Sequence, residues 1–249
     1  MRICLVTPFA WSQPHDVNEH VAGIAKELRS RGHSVTTLAP SSRTADLIAG
    51  RRALASGEDA EVIAIGAALP ISRRSSLGVP VGVRANLNIA LRQGRFDVVH
   101  GFEPGLPSIS YLALRDSEQL GVATFFSPER LGYPPRRSLR EKLLGRIDAL
   151  LATSQDTAAA AAERFPGDYR VVSPGVDTEV FGPGKKRKLI VIELHSASLP
   201  VARAALHFHD MRDRMHRPAV LSLEGECTST RRLGFGILVD FLQAEGMHA

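Results

Sequence analysis

The sequence is poor in the residues that carry redox, metal or nucleotide chemistry. It has 2 cysteines in 249 residues, Cys4 and Cys227, far apart and each inside an apolar segment. A disulfide framework is therefore not expected, and both read as small core residues. No G-x-x-x-x-G-K-[ST], G-x-G-x-x-G or G-x-S-x-G occurs, which removes the support for a P-loop, a dinucleotide fingerprint or a hydrolase elbow. His207 and His209 lie two apart on an expected helix and face different ways, so no metal site and no cofactor is expected. No apolar run approaches the ~20 residues that span a bilayer. The opening Ile3-Cys4-Leu5-Val6 is too short for a signal-peptide core, and a cytoplasmic location is the expectation. Aromatic residues make up 6% and are not interleaved with basic ones, so the net charge of +5 admits anionic ligands without pointing to nucleic acid.

What is present is ordinary for a globular chain: 44% hydrophobic and 23% charged residues, with 21 glycines and 15 prolines. The length exceeds the usual domain of ~100 to 150 residues without reaching two, which predicts one complete domain and part of a second. Apolar runs at 3–6, 34–39, 61–65, 96–100, 122–126, 148–152 and 169–172 alternate with helical periodicity near 19–31, 84–93, 106–115, 138–145 and 155–164. This is the grammar of an α/β fold, a doubly wound Rossmann-like parallel sheet over residues 1–172. Turn residues from Ser173 to Gly184 and the run Lys185 to Lys188 read as a linker over 173–188. A short, incomplete second α/β lobe is expected over 189–249, with strands at 189–194 and 219–223 and helical faces marked by Val201 to Met215 and Leu233 to Leu242.

Several segments, in order, carry more than composition does. They are Met1 to Phe9, His20 to Val35, Phe96-Asp97-Val98-Val99-His100 with Glu103-Pro104, Val122-Ala123-Thr124-Phe125, and Gly175-Val176-Asp177-Thr178-Glu179-Val180-Phe181. Together they resemble the family 4 glycosyltransferases of the phosphatidylinositol mannosyltransferase type. The resemblance implies a GT-B enzyme of two domains, the first holding the acceptor and the second a nucleotide-sugar donor, with retaining, metal-free sugar transfer.

Three departures bear on that expectation. Where the family has paired glycines after the first strand, this chain reads Pro14-His15-Asp16-Val17-Asn18-Glu19, and the Asp16 and Glu19 spacing predicts a capping box that would repel a phosphate. Where similar members carry a histidine after Thr-Phe, facing the reacting sugar, this chain has Phe126 followed by Ser127; phenylalanine neither donates nor accepts a hydrogen bond, while Ser127 is able to position a hydroxyl. The resemblance implies a donor half with an Arg, a Lys and two glutamates separated by seven residues; beyond Lys188 there is no lysine, and Glu193, Glu224, Glu226 and Glu245 include no such pair.

The substrate-cleft candidates are thus His15, Asp16, His20, His100, Glu103, Pro104, Phe126 and Ser127. Glu103 reads either as an acceptor of sugar hydroxyls or as a solvated loop carboxylate. Arg136, Arg137, Arg140 and Lys142 share a segment with Leu139, Leu143 and Ile147, which fits either a membrane-surface anion contact or a core-facing helix with a solvated basic face. The functional expectation is a glycosyltransferase-like protein acting on a lipid or glycan acceptor, its own activity set against a non-catalytic binding module on the same lobe. A short second lobe leaves sheet edges open, so self-association or a protein partner is also expected.

Overall fold

The computed structural model describes residues 1–58, 60–72, 75–78, 83–176, 178, 190–194 and 219–223. The chain separates into two compact units, Met1–Val176 and Asp177–Ala249.

The first unit is built on one sheet. Its strands are β1 (Arg2–Val6), β2 (Ser34–Ser41), β3 (Val62–Ser72), β4 (Ser75–Gly78), β5 (Val98–Phe102), β6 (Leu120–Phe125), β7 (Ala149–Ala152) and β8 (Tyr169–Val171), in the order β4-β3-β2-β1-β5-β6-β7-β8. Seven are parallel, and β4 pairs antiparallel with β3 at one edge. Sequence reading did not anticipate β4, because Ser-Ser-Leu-Gly offers neither alternation nor β-branched residues.

The helices are α1 (Asp16–Ser30), α2 (Thr44–Ser56), α3 (Arg84–Gly94), α4 (Ile109–Asp116), α5 (Arg137–Leu144) and α6 (Gln155–Arg164). The central strand shows why both faces need covering. Ile3 and Leu5 pack with Val17, Val21 and Ala25 of α1 and with Phe102, whereas Cys4 and Val6 belong to the larger cluster that takes in Leu54 of α2, Leu87 of α3 and Ile109 of α4. Alternate residues of a strand point to opposite faces, so a continuous apolar run signals burial on both.

Helix α2 escaped the sequence reading. It meets the sheet through Gly50, where a β-carbon would fall 2.3 Å from the Ala64 carbonyl oxygen, so close backbone contact replaces the apolar stripe that periodicity looks for. Helix α1 stops at a glycine: Gly32 takes φ +83, and its N–H donates to the Arg29 carbonyl at 2.9 Å.

In the second unit, β9 (Ile190–Leu194) and β10 (Ala219–Leu223) pair in parallel, Ile190 opposite Ala219 and Leu194 opposite Leu223. Both fall where strands were expected. The helical faces read over 201–215 and 233–242, along with Lys185 to Lys188, His207, His209 and Cys227, lie outside the described residues.

Candidate functional site

At their carboxyl ends β1, β5 and β6 open into loops that meet the start of α1, the place where open α/β sheets bind ligands. Glu103 stands at the centre. It follows Phe102 directly, has no solvent exposure, and takes φ +51, a conformation a non-glycine residue holds only when its surroundings impose it. Its own N–H donates to the Thr124 carbonyl at 2.8 Å. Its Oε1 accepts the N–H groups of Phe126 at 2.8 Å and Ser127 at 2.9 Å, while Oε2 is buried with no hydrogen-bond partner among the described residues.

The solvated-carboxylate alternative for Glu103 is therefore wrong, and Pro104 beside it is buried as well. Burial pushes the Glu103 carboxyl up from 4.5 to about 7, against the pull of the Arg130 guanidinium and the two amides. Arg130 Nη1 lies 3.7 Å from Oε1, and its guanidinium carbon sits 5.0 Å from the centre of the Phe9 ring.

Phe9 continues the chain of contacts, stacking on His15 with ring centres 3.5 Å apart. His15 is the N-cap of α1, which corrects the expected capping box: the helix begins at Asp16, one residue earlier than that pattern requires, and Glu19 N–H simply donates to the His15 carbonyl. Val17 N–H lies 2.8 Å from Asp16 Oδ1 and 3.2 Å from His15 Nδ1, and that nitrogen is itself 2.7 Å from the carboxylate. With a proton on Nδ1, the ring donates to Asp16 and leaves the carboxylate to accept the helix N–H. The hydrogen bond from His15 accordingly holds the Asp16 carboxyl down near 2. A fixed anion thus occupies the helix N-terminus. Behind it, Thr7 Oγ1 donates to Asn18 Oδ1 at 2.7 Å and Asn18 Nδ2 to the Ala10 carbonyl at 2.9 Å, pinning the loop after β1.

The second half of the site is aromatic. The half-buried Phe126 and His20 rings meet at 76° with centres 5.0 Å apart, and the buried Phe102 lies 6.2 Å from His20 and 6.4 Å from Phe126. Half-buried His100 meets this aromatic set through Phe102. The strand runs to Phe102 rather than ending at residue 100, so the imidazole stacks on Phe102 and its Nε2 is 2.7 Å from Thr124 Oγ1. Burial, with His20 nearby, pushes it down to about 3. The Ser127 hydroxyl oxygen accepts the Glu129 N–H at 3.4 Å, capping the 3₁₀ turn Pro128–Arg130.

The loops after β5 and β6 are locked together. Tyr133 N–H donates to the Gly105 carbonyl at 2.8 Å, and a β-carbon on Gly105 would fall 2.3 Å from the Arg130 carbonyl oxygen. Backbone cannot yield as a side-chain tip can, so Gly105→Ala is expected to cost ~2 kcal/mol and lower the thermal midpoint by roughly 5 °C. A melt within 1 °C of the parent would contradict this packing.

Sequence reasoning brought His15, Asp16, His20, Glu103, Pro104, Phe126 and Ser127 to one place and missed Phe9, Asn18 and Arg130. Only position after a strand end could have flagged Arg130. The basic candidates belong to α5. Arg136, Arg137 and Lys142 are exposed, Leu143 is buried, Arg137 Nε pairs with Glu141 Oε1 at 2.9 Å, and Arg140 Nη1 donates to the Pro134 and Pro135 carbonyls. The helix thus turns Leu143 to the core and leaves a basic face exposed. Among the described residues no helix is long and apolar enough to cross a membrane, and no group of three or more His, Cys, Asp or Glu is placed to hold a metal ion.

The profile of Glycosyltransferase Family 4 matches residues 17–180, about two thirds of the chain. The chain belongs to glycosyltransferase family 4. Among similar family members, a phosphatidyl-myo-inositol mannosyltransferase of Propionibacterium freudenreichii is 32% identical over 209 residues, 82% of this chain and 49% of the relative. One of Mycobacterium tuberculosis is 31% identical over 190 residues, 73% of this chain and 46% of the relative. The chain thus spans about half the length of the curated relatives it matches. Two solved structures share its fold: an alpha-glucosyltransferase in complex with UDP, at TM-score 0.55 and 12% identity over 100% of this chain and 62% of that one, and the sucrose-phosphate synthase of Thermosynechococcus elongatus, at 0.54 and 11% over 99% and 68%. The family 4 assignment agrees with the seven parallel strands flanked by helices, the architecture of a GT-B amino-terminal domain. A glycosyltransferase-like protein is the result.

Proposed function

We propose that residues 1–172 of this chain are the acceptor-side domain of a family 4 sugar transferase, and that the loops after β1, β5 and β6 hold a polyhydroxylated ring, in a glycan or a lipid headgroup. The observation that carries this reading is Glu103: a fully buried carboxyl at the strand ends, one oxygen fixing the Phe126 and Ser127 amides and the other without a partner among the described residues. Buried polar atoms are rarely left unpaired, and a role in binding is one reason for an exception. The relatives named above supply the candidate ring, the inositol of a phosphatidylinositol headgroup. The exposed Arg136, Arg137 and Lys142 add a basic surface suited to peripheral contact with anionic lipid.

The second reading, a module that holds the same ligand without transferring sugar to it, is favoured by the Asp16 carboxylate at the α1 N-terminus, which opposes a diphosphate there. Both readings make one prediction. Vesicles of phosphatidylcholine containing phosphatidylinositol should retain the full chain on sedimentation, and tens of millimolar free myo-inositol should release about half of it or more. Retention that inositol leaves unchanged would mean charge attraction alone and would sink the acceptor reading.

A further inference from the structure

Three histidines gather at this end of the sheet, and two have one ring nitrogen engaged. His15 Nδ1 lies 2.7 Å from Asp16 Oδ1, and His100 Nε2 lies 2.7 Å from Thr124 Oγ1. His20 differs. Just over one turn past Asp16 on α1, it makes edge contacts with Phe126 and Phe102, and neither ring nitrogen has a hydrogen-bond partner among the described residues. Nor are those nitrogens among the buried unpartnered atoms, so they meet solvent at the mouth of the site. Partial burial of the ring lowers its pKa below the usual 6.5, which favours a neutral imidazole with one N–H donor and one bare acceptor.

The geometry of the neighbours narrows what such a group can meet. Phe126 stands at 76° to the imidazole, so the two rings form a corner with one apolar wall and one hydrogen-bonding wall. Phe102, fully buried, closes it from behind. Arg130 is turned to Glu103 and the Phe9 ring instead. A ring lying there presents a C–H face to Phe126 and hydroxyls to His20, and carries no charge at that point.

We propose that His20 is a ligand-contacting residue, hydrogen-bonding a hydroxyl of a neutral six-membered polyol ring, cyclitol or pyranose, that lies against Phe126. This rests on the acceptor-side reading and names the side chain that grips the ring. Phe126 cannot hydrogen-bond; the imidazole 5.0 Å away supplies what that position lacks.

The test uses the full chain and NMR titration with myo-inositol and, separately, methyl α-D-mannoside, following the His20 Cε1 proton and saturation transfer to the added ring. The parent is expected to bind one of them saturably in the millimolar range with a shift of the His20 signal. His20→Phe, which keeps an aromatic ring against Phe126, should weaken binding at least tenfold, and His20→Gln, which restores a donor and an acceptor, should stay within about threefold of the parent. If His20→Phe binds like the parent, this inference fails while the acceptor reading stands. If the parent binds neither compound, both fail. If His20→Gln is as weak as His20→Phe, hydrogen bonding is not the role and the inference is overturned. Should His20→Phe not fold, an unmoved His20 resonance in the ligand-saturated parent overturns it equally.

Discussion

Glu103→Gln is expected to make the protein more stable at pH 8 relative to pH 5, and His100→Gln to make it more stable at pH 4 relative to pH 7, each by about 2 to 3 kcal/mol against the parent's own trend. The signs follow from opposite shifts. The Glu103 carboxyl rises from 4.5 to about 7, so the fold favours its protonated form; that contribution is full below pH 4.5 and is lost as pH climbs through 7. His100 falls from 6.5 to about 3, so the fold favours the neutral ring, and that contribution is full above pH 6.5 and lost as pH drops toward 3. In the parent the two losses run against each other across pH 4 to 8. Each substitution exposes the other's slope. Glutamine preserves the acceptor for the Phe126 and Ser127 amides in one case and a partner for Thr124 in the other, so packing changes little. Urea unfolding at several pH values, followed by the fluorescence of Trp11, the single tryptophan, reads this out for the first unit. Parallel stability curves for the parent and Glu103→Gln would show that the carboxyl is not held in its neutral form.

The full chain is expected to bind guanosine and uridine diphosphate sugars no more tightly than millimolar in calorimetric titration at low salt. Each charged contact to a buried phosphate contributes ~1.5 to 3 kcal/mol, so the loss of three lowers affinity about a thousandfold or more. The α1 N-terminus that could meet a diphosphate is already occupied by Asp16, a carboxylate kept ionised far below neutral pH. Residues 189–249 offer no lysine and no glutamate pair at a spacing of seven. Phe126→His alone should restore nothing, because an imidazole there answers none of these losses. Micromolar binding would mean that the diphosphate is held by another route, with Lys185 to Lys188 the first place to look.

The sheet was readable because buried parallel strands are rich in apolar residues, and the unbroken run Ile3 to Val6 of β1 announces itself in that way. Where apolar side chains were not the means of contact, the reading failed: α2 approaches through Gly50, and β4 is a short edge strand of serines. The residue set of the site was legible from its place after strand ends. Its chemistry was not. Nothing in Glu103-Pro104 signals that the carboxylate turns inward at φ +51 to hold amides from a loop more than twenty residues on, and a strand boundary misjudged by two residues hid the contact of half-buried His100 with Thr124.

The bond between Tyr133 and Gly105, and the absence of room for a β-carbon between the same two loops, remove a degree of freedom from ligand capture. The segment bearing Glu103 and the segment bearing Phe126 move together or not at all, and Glu103 Oε1 joins them a second time. Within the first unit the corner between Phe126 and His20 therefore exists before anything arrives. A ring docking there orders almost no backbone, so little conformational entropy opposes association. A ring taken up at this corner is expected to exchange fast, in a single kinetic phase.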